Sequence, residues 1–337
     1  MTVDGALTAD AVIAVARGGA RAILSEEARA TMERSALVTE QLAASDEPVY
    51  GVSTGFGSLS LVRIEPERRE ELQRALIRSH AAGMGAPVAG EIVRAMILLR
   101  VRSLAMGYSG ARPLLAETML ALLDAGITPI VPEHGSVGAS GDLAPLAHCA
   151  LALLGEGEVL SPDGERVAAA DALRAAGIEP LTLSAKEGLA LINGTDGMLA
   201  MLVLAIEDLR RLLTVADITA AMSVEALLGT DRAFAADLIA LRPQRGQAES
   251  AANLRTLLAG SEIVASHRFG DPRVQDAYSL RCAPQVLGAA RDTLAHARQV
   301  AEAELRSAID NPMILPDGRV ESCGNFHGAP LAFVCDF

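Results

Sequence analysis

Apolar residues recur at helical spacing over most of the chain. Between Glu91 and Met106, the apolar Ile92, Met96, Leu99 and Leu104 alternate with Arg94, Arg100 and Arg102. Gly107 follows where a C-terminal cap belongs, so the pattern predicts a helix that ends there. From Thr195 to Leu228 the pattern stays helical for far longer than an average helix, and Ala283 to Ser307 repeats the behaviour through Leu287, Ala290, Leu294 and Ala301. Helices this long and apolar need partners, which points to a bundle. Ser184 and Glu187 have the spacing of a capping box before an apolar run, and Asn193-Gly194 falls where that helical region should bend. Strand signals are short: Glu158 to Val167 around Pro162-Asp163-Gly164, and Val320. The predicted fold is mainly α, a long-helix bundle preceded by a helical, glycine-loop-rich N-terminal domain with very short strands. A soft boundary near Ser184 divides the chain into residues 1–183 and 184–337.

Composition narrows the range of partners. At 337 residues and 50% hydrophobic, the chain can bury a large core. Its net charge of -13, with no run of Lys or Arg, disfavours nucleic acid and anionic membrane surfaces. The start, Met1-Thr2-Val3-Asp4, lacks a basic segment followed by an apolar stretch, and charge interrupts every long apolar run, so a soluble cytoplasmic protein is expected. Cys149, Cys282, Cys323 and Cys335 show neither metal-ligand spacing nor the density of a disulfide scaffold. They are expected to be reduced, with no metal site.

Four segments depart from helix grammar and concentrate glycine with polar or aromatic residues. Tyr50-Gly51-Val52-Ser53-Thr54-Gly55-Phe56-Gly57 is a glycine-rich loop that can move or take left-handed conformations. It lacks the strand-loop-helix context and following Lys of a phosphate cradle. Gly135-Ser136-Val137-Gly138-Ala139-Ser140-Gly141-Asp142 permits a tight turn, with Asp142 leading as a cap into an apolar helix. Asn193-Gly194-Thr195 alone is a turn signal. Gln275-Asp276-Ala277-Tyr278-Ser279-Leu280-Arg281 places an arginine beside aromatic and amide side chains, and Gly324-Asn325-Phe326-His327-Gly328 adds a further glycine-bounded aromatic.

In this order, these segments resemble the aromatic amino acid ammonia-lyase and aminomutase family over essentially the whole chain from Tyr50 to Phe337. The resemblance implies a cofactor formed autocatalytically from the backbone: Ala139-Ser140-Gly141 cyclises with loss of two waters to a 4-methylidene-imidazol-5-one, and no dissociable cofactor is needed. Such a turn requires small residues, with Gly141 nitrogen reaching the Ala139 carbonyl and Ser140 supplying the methylene. Adding the substrate amine to that methylene would make ammonia a better leaving group. The resemblance assigns Tyr50 as general base on a lid loop of Gly51, Ser53, Gly55 and Gly57, with Tyr278 also catalytic. It assigns Asn193, Gln275, Arg281 and Phe326 to substrate binding, Arg281 holding the carboxylate through its planar fork. It also implies a homotetramer of long antiparallel helices with shared active sites.

The pair Ser79-His80 resembles the histidine-acting members, whereas phenylalanine- and tyrosine-acting members usually carry Phe-Leu or His-Leu there. His80 can exchange a hydrogen bond with an imidazole, which a phenyl ring cannot return. Asp196 stands where many histidine-acting members have Gln, and Ser53 where many have Asn. The implied reaction is conversion of L-histidine to trans-urocanate and ammonia. Its alternatives are a phenylalanine or tyrosine ammonia-lyase or an aminomutase, and, from another class, an inactive truncated fragment or assembly subunit. The last arises because family members continue past Phe337 into further helices carrying another active-site carboxylate, so the 184–337 domain is expected to be incomplete.

Overall fold

The structure, a computed structural model, describes residues 1–45 and 48–337. Fifteen helices are found among them: α1 (Ala9–Ala16), α2 (Glu26–Ala44), α3 (Arg69–His80), α4 (Gly90–Ala105), α5 (Pro113–Asp124), α6 (Leu143–Leu153), α7 (Ala169–Ala176), α8 (Glu187–Ile192), α9 (Asp196–Ala226), α10 (Ala236–Ala240), α11 (Arg245–Leu257), α12 (Glu262–Ser266), α13 (Tyr278–Arg281), α14 (Ala283–Glu304) and α15 (Ala329–Asp336). Strands are confined to pairings of two to four residues, such as the hairpin of Glu158–Leu160 with Arg166–Ala168. The mainly helical fold with very short strands is as the sequence predicts. Two compact units result, one of Met1–Val203 with Val300–Phe337, the other of Leu204–Gln299. Ser184, the boundary suggested by the sequence, lies inside the first.

In the first unit, α4 is the central helix, packed against α1 and α5. Leu98, Leu99 and Val101 are wholly buried, each contributing about 1.5 to 3 kcal/mol of transfer free energy. Arg100 and Arg102 on the same helix are wholly buried too, and so need partners. Arg100 donates to the Asn193 and Ile309 carbonyls at 2.9 and 3.0 Å, and Arg102 to those of Leu305 and Ser307 at 3.0 and 2.7 Å. The buried arginines thereby fasten the Asn193 break and the 305–309 segment to the core. A second layer packs α3, α6 and α8 on one another.

The capping-box expectation at Ser184 is corrected in position. Glu187 does accept the Ser184 N–H at 2.7 Å, but the helix starts at Glu187 itself, after Lys186 at φ 67°. Glu187 is drawn aside by Arg112, whose Nε and Nη2 reach it at 2.8 and 2.6 Å.

The second unit has its own core, in which Val224, Phe234, Leu254, Val264 and Leu280 converge. Its α11 and α14 touch backbone to backbone: a Cβ on Gly246 would fall 2.2 Å from the Gly288 carbonyl oxygen, so only glycine allows the crossing. On α9, Leu212, Val215 and Met222 remain more than half exposed.

Candidate active site

The first unit gathers three of the predicted segments. Positive φ at Gly138 (77°) and Gly141 (89°) closes the turn on itself, and Val137 N–H donates to the Gly141 carbonyl at 3.0 Å. Ser140, 1% exposed, points its hydroxyl where it has no hydrogen-bond partner among the described residues. A buried, unmatched hydroxyl costs about 1 to 3 kcal/mol. Loss of that hydroxyl would remove the cost. The compact glycine turn and the orphaned Ser140 oxygen therefore fit a methylidene-imidazolone formed from Ala139-Ser140-Gly141.

Two other segments press on this turn. From the C-terminal side, Gly328 N–H donates to the Ala139 carbonyl at 2.8 Å, and a Cβ on Gly328 would lie 2.5 Å from the Ser140 carbonyl oxygen. Phe326, two residues earlier, is half-buried. From α9, Met198 lies against both Gly141 and Gly328.

Asp142 corrects the sequence reading. It occupies the position before α6 but makes no capping bond there, and its carboxylate instead accepts the Met198 N–H at 2.9 Å, capping α9. Gly197 permits this, because any Cβ there would meet the carboxylate at about 3.0 Å. Burial pushes the Asp142 carboxyl up to about 7, against the lowering effect of the Met198 and Gly197 N–H groups and with a further push from Asp196.

Asn193 sits in the break between α8 and α9, buried, with Nδ2 donating to Asp310 Oδ1 at 3.2 Å and to the Asn311 carbonyl at 3.4 Å. Its neighbour Thr195 donates to Glu304 at 2.6 Å, and burial raises the Glu304 carboxyl.

His80 ends α3. Its Nδ1 is 2.9 Å from the Leu76 carbonyl and 3.1 Å from Ser79 Oγ. A carbonyl only accepts, so the hydrogen-bond pattern assigns the neutral-ring proton to Nδ1 and leaves Nε2 as an acceptor. Three residues on, Gly83 N–H donates to His148 Nε2 on α6 at 3.1 Å, and burial lowers the His148 pKa.

In the glycine-rich loop, Gly51 and Gly57 take positive φ of 72° and 55°. Gly55 does not; it is required because a Cβ would lie 2.7 Å from Leu59 Cβ. The Tyr50 hydroxyl accepts the Gly57 N–H at 3.2 Å, and its ring meets Phe56 edge-on at 6.1 Å. Ser53 is buried, its Oγ accepting Val49 N–H at 2.9 Å.

The second unit carries Gln275, Tyr278 and Arg281. Leu280 anchors the short α13 in the core, leaving Tyr278 74% exposed and Gln275 exposed. The Arg281 guanidinium lies 4.7 Å over the Tyr278 ring and makes no ion pair among the described residues; its buried Nε has no acceptor. An arginine so placed, without a carboxylate, is equipped to take one.

Sequence reasoning missed Lys186 and Asp310, which form a buried pair behind Asn193 at 2.6 Å. One signal was available: of the 29 Lys and Arg residues, Lys186 alone is lysine. No group of three or more His, Cys, Asp or Glu suited to a metal occurs among the described residues. The helical stretch Glu187–Ala226 is long and apolar enough to cross a membrane by length and composition, yet 78% of its most apolar window is buried inside the protein.

The family profile for aromatic amino acid lyase matches residues 7–337. The chain belongs to that family. It is 60% identical over 331 residues to a histidine ammonia-lyase of Streptomyces avermitilis, covering 98% of this chain and 65% of the relative. Among solved structures, a tyrosine aminomutase from Streptomyces globisporus superposes with a TM-score of 0.91 at 40% identity, covering 100% of this chain and 67% of that one. A histidine ammonia-lyase from Trypanosoma cruzi superposes at 0.89 with 39% identity, covering 99% and 63%. The chain thus spans about 65% of the length of the curated relatives it matches.

Proposed function

We propose that the protein removes ammonia from L-histidine to give trans-urocanate, using an electrophile formed from Ala139-Ser140-Gly141. The observation that carries the reaction is the Ser140 hydroxyl, buried without a partner in a turn closed by Gly138 and Gly141. When formed, the methylidene-imidazolone supplies an electrophilic methylene carbon. Gly328 N–H, bonded to the Ala139 oxygen, is placed to stabilise charge on that carbonyl as the ring closes.

The remaining roles belong to side chains. Arg281 would hold the substrate carboxylate, for which a rigid fork is suited, with Gln275 and Phe326 lining the substrate. His80 Nε2 would accept the imidazole N–H, while Nδ1 stays committed to Leu76. Tyr50 would take the β-proton, with Tyr278 and Asn193 positioning the reacting groups. Gly51 and Gly57 give the Tyr50 loop the conformational freedom of a lid.

Histidine as substrate is supported by the relatives that are named histidine ammonia-lyases at 59 to 60% identity. A cytoplasmic homotetramer with shared active sites is the proposed assembly, supported by the exposed apolar Leu212, Val215 and Met222 on α9. The test is to purify the chain, record its intact mass and assay histidine, phenylalanine and tyrosine for unsaturated products. Cyclisation removes two waters, roughly 36 Da. A dehydrated protein forming urocanate, with cinnamate and coumarate far behind, is expected. A dehydrated, folded protein preferring phenylalanine or tyrosine would overturn the substrate assignment.

A further inference from the structure

Behind Asn193 lies a buried pair, Lys186 and Asp310, that the proposed reaction does not use. Lys186 is 0% exposed and its Nζ donates to Asp310 Oδ2 at 2.6 Å and to the Ser109 carbonyl at 2.8 Å. The other carboxylate oxygen of Asp310 accepts from Asn193 Nδ2 at 3.2 Å and from the Asn311 N–H at 2.7 Å. Burying an ion pair is expensive, and it seldom stabilises a fold better than apolar residues would. The backbone adds to the cost, because Lys186 holds φ 67° without being glycine. Among the 29 Lys and Arg residues every other one is arginine, so a compact ammonium with three tetrahedral donors stands at this position alone.

The consequence falls on Asn193. Asp310 Oδ1 and the Asn311 carbonyl are both acceptors and both face one side of its amide. Turning the amide over would set its oxygen against two oxygens, so NH2 is held on that side. Oδ1 is left on the other, making no hydrogen bond among the described residues, yet it is not an enclosed orphan as the Ser140 hydroxyl is. We infer that Lys186 and Asp310 are positioning residues that fix the Asn193 amide with its oxygen presented as an acceptor to the amino group of the substrate. This rests on the reading of Asn193 as a site residue, and it adds what sets its polarity.

Asp310→Asn tests it. Lys186 would still demand an oxygen, so the new amide must turn its NH2 toward Asn193 and flip it. In Lys186→Met/Asp310→Asn that demand is gone, and the residue 310 oxygen can again accept from Asn193. Each variant, with Asn193→Ala as reference, is measured in the active preparation, supplied with the C-terminal part of a relative if the 337-residue chain alone does not turn over. The readouts are KM for histidine, Ki for 3-(imidazol-4-yl)propionate, which has the ring and carboxylate but no amine, and intact mass. Loss of one hydrogen bond to a charged amine should raise the histidine KM about tenfold in Asp310→Asn while Ki moves less than about twofold, and the double variant should recover most of the loss.

If Asn193→Ala leaves the ratio of KM to Ki unchanged, Asn193 is not a site residue and the proposal falls with that reading. If Asn193→Ala shifts the ratio but Asp310→Asn does not, or shifts both constants equally, only the polarity assignment is overturned. A variant that keeps its two waters places the pair in turn formation and counts against the proposal. Should Asp310→Asn fail to fold, the double variant decides in its place, a wild-type ratio supporting the proposal; if that too fails to fold, the pair is structural and the proposal is wrong.

Discussion

Gly328 donates its N–H to the Ala139 carbonyl at 2.8 Å, which fixes the C-terminal glycine segment to the carbonyl that the Gly141 nitrogen would attack in the proposed ring closure. The closeness leaves no room for a side chain, since a Cβ on Gly328 would sit 2.5 Å from backbone oxygen of Ser140, an atom that cannot rotate away. Gly328→Ala is therefore expected to push the two segments apart and block dehydration, leaving the intact mass roughly 36 Da above that calculated for the variant's own dehydrated form. A fully dehydrated Gly328→Ala protein would show the contact to be dispensable.

Ser140→Ala should abolish turnover while leaving the fold at least as stable as before. The hydroxyl it removes makes no hydrogen bond and is buried, so its loss relieves a desolvation cost of about 1 to 3 kcal/mol while opening a gap of one atom. Comparison is to be made with folded wild type whose intact mass shows both waters retained. Turnover at an ordinary rate by folded Ser140→Ala would sink the proposed chemistry.

The elements legible in the sequence were those written in period and in punctuation. Helix α4 and its Gly107 stop, the long α9 and α14, and the break at Asn193-Gly194 all follow from local apolar spacing and glycine. What was not legible depended on distant partners. Asp142 looked like the cap of the helix it precedes, but its carboxylate serves α9, 56 residues away. Lys186 went unremarked, because only the return of residues 309–311 to the core gives it Asp310. Arg100 and Arg102 alternate with apolar residues, a pattern that does not show their burial, and both are buried because the carbonyls of 305, 307 and 309 come to meet them.

Arg281→Lys should bind histidine poorly although the charge is kept. The guanidinium is already stacked on Tyr278 and makes no ion pair among the described residues, and a lysine would lose both the stacking and the second parallel bond. About 1.5 to 3 kcal/mol is at stake, which corresponds to a rise in KM of roughly ten- to a hundredfold. Unchanged kinetics for histidine would move the carboxylate site elsewhere.

His80→Leu should cost histidine use far more than phenylalanine use. Leu76 and Ser79 occupy Nδ1, so Nε2 is the atom that can read the imidazole N–H, and leucine leaves that donor unpaired while costing a phenyl ring nothing. The ratio of kcat/KM for histidine to that for phenylalanine is expected to fall about tenfold or more. Equal losses on both substrates would make His80 a structural residue at the end of α3.

Asp142 gives the stability of the fold a pH dependence of defined sign. Its carboxyl is pushed to about 7 by burial from an ordinary value of 3.8, so between these values the folded protein holds a proton that the unfolded chain has released. Stability from this group is therefore complete below about pH 4 and is lost as pH rises toward 7, at about 1.4 kcal/mol per unit where the difference is full. Asparagine at 142 does not titrate, yet its side-chain oxygen can still accept the Met198 N–H that caps α9. Asp142→Asn should accordingly gain on the wild type as pH is raised from 5 to 8, read as the difference in denaturation midpoint in urea at each pH. The neighbouring Asp196 works in the same direction, because its charge also disfavours ionised Asp142, and Arg100 opposes both. A difference that shrank with pH would show that Asp142 is ionised in the fold and paired more strongly than its burial implies.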